Sequence, residues 1–154
     1  MKLMNGTGAS LTYCPSSNLF LGSGILPLQQ CLDHKVKIAL ATDVGGGSSF
    51  SMLSTLLDAY KSQQLNGFSL DPVYSWYLAT LAGAESLGLC DEIGTLKRGS
   101  YADFVVWDLQ ATDLLKLRTK DSPTIEDKLF ALIALGDDRA VSKSFIAGEC
   151  VYQQ

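Results

Sequence analysis

Histidine is almost missing from this chain: His34 is the only one in 154 residues. A protein zinc centre takes about three or four side-chain ligands, so one histidine cannot furnish such a centre by itself. Cysteine is sparse as well. Cys14, Cys31, Cys90 and Cys150 lie far apart with no C-x-x-C pair, which fits reduced thiols in a cytosolic protein better than a disulfide or zinc framework. Positive charge is in deficit, with 12 Lys and Arg against 16 Asp and Glu and a net charge of -4. The basic groupings Lys97-Arg98 and Lys116 to Lys120 are short and interrupted, so they read as solvated surface, and no nucleic-acid partner is expected. No apolar run approaches the roughly 18–20 residues that span a bilayer, and the N-terminal apolar part is too short for a signal peptide. No membrane partner and a cytoplasmic location are the resulting expectations. Internal repeats and low-complexity linkers are also lacking.

What is present is a globular composition, 47% hydrophobic and 18% charged, in a length that fits one ordinary domain with a real core. Ala9 to Cys14 reads as a short strand stopped by Pro15, which lacks the N–H that a ladder needs. A loop at Ser16-Ser17-Asn18 follows, then a short helix over 27–33 and a nearly continuous apolar strand over 36–41. The spacing of Met52, Leu53, Leu56, Leu57 and Tyr60 predicts a helix to about Leu65. Asp71-Pro72 opens a further helix running to about Leu87 and stopped by Gly88. Beyond Cys90 the character changes: a turn-rich stretch at Gly94 to Gly99, a strand over 102–108, a helix over 124–135, and a hairpin over 141–152 turning at Ala147-Gly148-Glu149.

One place stands out chemically. The apolar strand ends in Thr42-Asp43 and runs into Val44-Gly45-Gly46-Gly47-Ser48-Ser49, with no Lys or Arg within five positions of Asp43. A carboxylate buried there would need a metal, a cation or hydrogen bonds to offset a desolvation cost of several kcal/mol. Asp43 is therefore a candidate metal ligand. The same residue could instead cap the following turn through its side chain, and the two roles are compatible.

Cys14-Pro15-Ser16-Ser17-Asn18, Gly22-Ser23-Gly24, Thr42 to Gly47, Gly94 to Asp103 and Gly136-Asp137-Asp138-Arg139 together resemble the guanine deaminases of the amidohydrolase superfamily. The first and fourth of these elements fit many amidohydrolases. The Thr42 to Gly47 loop with Ser51-Met52 behind it, and Leu135 to Arg139, carry the likeness to guanine deaminases in particular.

The resemblance implies an α/β fold, namely the last two strands and helices of an incomplete TIM-like (β/α)8 barrel over residues 1–89. Residues 90–154 would form the C-terminal part of a small β-sandwich with one helix. It places Ser10 to Tyr13 and Val36 to Thr42 as the seventh and eighth barrel strands, with Asp43 at the C-terminal end where such barrels carry their chemistry. It also implies zinc, guanine as substrate, and xanthine and ammonia as products. Asp43 would be both a metal ligand and the acceptor of the attacking water's proton. Asn18 and Gly45 to Gly47 would shape the pocket rim. Tyr13 stands where some relatives carry histidine and other guanine deaminases carry an aromatic residue. His34 precedes the second strand, at the end opposite Asp43, and reads as a surface or packing residue.

The family's His-x-His pair, its further histidines and its general-acid glutamate have no counterparts here. The expectation is thus a C-terminal part of a deaminase that works with a missing N-terminal part or a homodimer partner. A non-catalytic interaction module and part of another amidohydrolase, such as a cytosine deaminase, are the alternatives.

Overall fold

A computed structural model describes residues 2–154. Helix α1 (Lys2–Thr7) leads into strand β1 (Ser10–Tyr13), helix α2 (Pro15–Phe20), helix α3 (Leu28–Asp33) and strand β2 (Lys37–Leu40). Helices α4 (Met52–Leu65), α5 (Pro72–Leu78) and α6 (Leu81–Leu87) follow, then strand β3 (Phe104–Trp107), helices α7 (Asp113–Lys120) and α8 (Ile125–Leu135), and strands β4 (Val141–Ile146) and β5 (Glu149–Gln153). The strands form two separate sheets. β1 and β2 pair in parallel with Tyr13 opposite Leu40, whereas β3, β4 and β5 form an antiparallel meander.

Local chemistry accounts for most boundaries. Ser51, Asp71, Thr112 and Thr124 each cap a helix, their side chains accepting from the N–H three residues on, as short oxygen-bearing side chains do. Gly88 ends α6 in the left-handed conformation. The hairpin turns at Ala147 and Gly148, both at positive φ, the geometry of a two-residue type I′ turn.

Four elements differ from expectation. The start of the chain is helical (α1), where the sequence pattern names no element. Ser16 to Asn18 lie in α2 instead of a loop, because a proline that cannot extend a strand is well suited to the first turn of a helix. The single helix expected from Pro72 to Leu87 is two. Thr80 sits at φ -130° and ψ -95°, and its hydroxyl donates to the Trp76 carbonyl at 2.7 Å. The break lets α5 lie against α8 while α6 lies against β2; the apolar spacing runs through it, so no breaker residue announces it. Helix α7 was not expected at all: Lys116 to Lys120 are indeed mostly exposed, but Leu115 beneath them is fully buried.

One apolar cluster joins the molecule. Tyr13, Ile38 and Leu40 from the parallel pair meet Leu53, Leu56 and Ala59 of α4, Leu78 of α5, and Leu132 and Ile133 of α8. A polar core network fixes β1 against α4. The Tyr13 and Ser62 hydroxyls share a hydrogen bond of 2.7 Å, and Gln63 Nε2 donates both to Tyr13 Oη and to the Leu26 carbonyl at 2.9 Å. Tyr13 thus serves packing, with its ring 1% exposed, and does not face the open end of the strands.

The Gly94 to Asp103 segment is a structural joint. A Cβ on Gly94 would stand 2.9 Å from Ala84 Cβ and 3.2 Å from Leu81 Cα, so the glycine permits the segment to rest on α6. Asp103 Oδ1 accepts the Ala147 N–H at 2.7 Å and so clamps the hairpin turn.

Candidate functional site

Because β1 and β2 are parallel and in register, their following residues leave the sheet at the same end. The ladder extends one step further, Ala41 N–H donating to the Tyr13 carbonyl at 3.0 Å. Beyond it, Asp43 stands at φ 49°, a conformation that Asp and Asn tolerate better than other side-chain-bearing residues. Its carbonyl accepts the N–H groups of Gly46 at 3.0 Å and Gly47 at 2.6 Å.

These bonds correct two expectations. Asp43 is exposed, so its carboxylate is not a buried charge awaiting compensation; the burial argument for a metal fails because the strand ends at Leu40 and the chain turns outward. Turn capping also falls to the main chain of Asp43 instead of its side chain.

The three glycines have three different reasons. Gly45 has φ 112°, a backbone region open to glycine. A Cβ on Gly46 would lie 2.8 Å from Asp43 Oδ2 and 2.9 Å from Ser17 Oγ. One on Gly47 would lie 2.4 Å from the Thr42 carbonyl oxygen. The Asp43 carboxylate and the buried Ser17 hydroxyl therefore converge on the bare face of Gly46. Cys14 lies in the same neighbourhood, its thiol pushed up by burial and then by the negative charge of Asp43. Ser16 Oγ donates to Asp58 Oδ2 at 2.7 Å, which ties the start of α2 to α4.

The sequence drew attention to Asp43 and the glycines but not to Asp58, nor to the approach of Ser17 to Gly46. Both connect distant parts of the chain, and no local pattern carries them. Asn18, expected at a pocket rim, is half-buried, and its N–H donates to the Cys14 carbonyl at 2.9 Å.

The loop leading from the glycines into α4 borders a cleft of about 500 Å³ lined by Ser49, Ser51, Met52, Trp107, Asp137 and Asp138 among others. Two segments more than 80 residues apart in sequence, Ser51-Met52 and Asp137-Asp138, thus share one wall. Phe50 projects beside it, 84% exposed. Arg139 turns back on Asp137 in a two-pronged ion pair, which holds the Asp137 carboxyl below its ordinary range. His34 is exposed and precedes β2, at the end of the strand opposite Asp43.

Among the described residues no group of three or more His, Cys, Asp and Glu side chains could hold a metal ion. Asp43 offers one accessible carboxylate and no second ligand joins it, so these residues do not by themselves make a zinc site.

A model of the amidohydrolase family matches residues 2–151. Guanine deaminase of Escherichia coli (strain K12) is 46% identical over 151 residues, covering 98% of this chain and 34% of the relative. The solved structure of E. coli guanine deaminase superposes with a TM-score of 0.96, at 45% identity, over 99% of this chain and 35% of that one. A structure of an adenosine deaminase from Xanthomonas campestris with bound zinc superposes with a TM-score of 0.85, at 30% identity, over 99% of this chain and 34% of that one. The chain spans about a third of the length of the curated relatives it matches.

Proposed function

The chain belongs to the amidohydrolase family, and on that footing we propose that it forms the part of a zinc-dependent guanine deaminase that carries the Asp43 carboxylate. The reaction is hydrolytic: water adds at the ring carbon bearing the exocyclic amine, the C–N bond breaks, and guanine becomes xanthine and ammonia. Zinc, when bound, lowers the pKa of the attacking water. Asp43 is both ligand and proton acceptor in this reading, taking the water's proton and holding it within reach of the departing amine.

One observation carries the proposal. The carboxylate at the C-terminal end of the parallel strand pair is exposed and, among the described residues, forms no ion pair, in a chain 46% identical to a guanine deaminase. The remaining zinc ligands and the general acid then come from residues outside this chain; a second copy, with the same single histidine at the end opposite Asp43, does not supply them.

Residues 1–89 are read as the closing strands and helices of a (β/α)8 barrel, and residues 90–154 as a share of a β-sandwich. The parallel pairing of β1 with β2 and the antiparallel pairing of β3 to β5 support that division.

The test replaces the matching third of the E. coli enzyme with this chain. The chimera is expected to hold zinc stoichiometrically and to convert guanine to xanthine, the 154-residue chain alone to do neither, and Asp43→Asn in the chimera to abolish turnover. A folded, zinc-loaded chimera that prefers cytosine, or one in which Asp43→Asn retains turnover, refutes the assignment.

A further inference from the structure

At the N-terminal end of β2, on the side away from Asp43, α3, α5, α6 and β2 enclose a recess of about 200 Å³. Its polar lining comes from Lys35, Lys37, Tyr74, Tyr77, Glu85 and Ser86. Donors dominate. Among the described residues neither lysine forms an ion pair. Glu85, the single acid, already accepts the Tyr77 hydroxyl at 2.6 Å, and the two tyrosine rings stack at 5.5 Å to form one wall.

Two features within this recess lack a structural reason. The first is Ser86, whose Oγ is buried and has no hydrogen-bond partner among the described residues. Thr55, Ser75 and Thr119 each bond back to the carbonyl four residues earlier; Ser86, also in a helix, does not, and an unsatisfied buried hydroxyl is destabilising. The second is Lys35. Helix α3 ends with Val36 N–H donating to the Cys31 carbonyl at 3.0 Å and Lys35 N–H to Leu32 at 2.8 Å. That places Lys35 in the left-handed position that glycine usually fills, at φ 53°. A lysine there is held in an unfavourable backbone conformation at the rim of the recess.

We propose that this recess binds a small oxyanion, held by the Lys35 and Lys37 ammonium groups and the Ser86 hydroxyl. The site is independent of the deaminase reading and lies at the opposite end of β2 from Asp43.

Amide-resolved NMR titration of the 154-residue chain tests it, with sodium phosphate and, separately, sodium acetate at constant ionic strength. Saturable shifts are expected at Lys35, Lys37, Tyr77 and Ser86. Saturation by phosphate alone assigns a phosphate group; saturation by acetate assigns a carboxylate. Ser86→Ala is expected to weaken binding by about tenfold or more, as loss of a hydrogen bond to a charged group does. Lys35→Gly separates binding from folding: it is expected to raise the melting temperature, by relieving the left-handed lysine, while weakening the anion. Shifts that never saturate, shifts equally strong at Lys116, Lys120 and Lys128, or wild-type affinity in Lys35→Gly overturn the proposal.

Discussion

Adding one methyl group at Gly46 and at Gly47 separates the chemistry of the Asp43 turn from its stability. At Gly47 the new Cβ stands 2.4 Å from the Thr42 carbonyl oxygen, about 1 Å inside ordinary contact, and that oxygen is main chain. The turn itself must shift, at an overpacking cost of about 1–3 kcal/mol. At a conversion of about 2–4 °C per kcal/mol for a chain of this size, Gly47→Ala should lower the melting temperature by roughly 2–12 °C. At Gly46 the atoms encountered are side-chain ends, Asp43 Oδ2 at 2.8 Å and Ser17 Oγ at 2.9 Å. The carboxylate can retreat by rotating off its preferred rotamer, which costs about 0.5–1.5 kcal/mol. It then no longer sits where it sat, and a displacement of the order of 1 Å in a reacting group costs up to about 100-fold in rate. Thermal unfolding of the chain followed by circular dichroism, and guanine turnover in the chimera with the E. coli enzyme, give the two readouts. Gly46→Ala should lose turnover with the smaller loss of stability, and Gly47→Ala should lose more stability. Undiminished turnover in Gly46→Ala, or equal destabilisation by both, would refute the idea that the bare face of Gly46 sets the position of the carboxylate.

Three further outcomes are expected. Tyr13→Phe removes bonds to Ser62 and Gln63, but each of those retains a backbone partner, so chemical denaturation should show a loss of only about 1–2 kcal/mol; a loss above about 4 kcal/mol would contradict this network. The Tyr77 phenol, bonded to the Glu85 carboxylate and partly buried, is pushed up to about 12. A raised folded-state value contributes stability that is complete below the unfolded value near 10 and is lost as pH rises through about 12. The advantage of the wild type over Tyr77→Phe should accordingly shrink between pH 10 and 12, and ultraviolet titration should show, beside Tyr13 and Tyr74, which burial also pushes up, a late phenol that Glu85→Gln moves earlier. Ala147→Asn, in a turn whose positive φ favours Asn-Gly, should stabilise the hairpin by about 0.5–1 kcal/mol, readable as a higher denaturation midpoint.

The sequence carried a good deal of this. The Asp71 cap, the apolar stripe of α4 and the Ala147-Gly148 turn were legible because each is a local pattern with a local physical cause. So were the placement of Asp43 beyond an apolar strand and the family likeness, which rests on contiguous motifs. Helix α7 was missed because its buried side is narrow, with Leu115 and Thr119 the only buried residues in a charged octet. The break at Thr80 was missed because its cause is the different destinations of α5 and α6.

By itself, then, the chain's order of residues determined the family, the principal helices and strands, and which carboxylate to watch, since backbone propensity and apolar period act over a few neighbours at a time. Only the tertiary structure decided that Asp43 is exposed and that Tyr13 turns into the core. It alone brought Ser17 against Gly46, Met52 near Asp137, and two lysines to a recess with an unpaired serine. Those are meetings of segments tens of residues apart, and packing, which matches surfaces across the fold, is what brings them together.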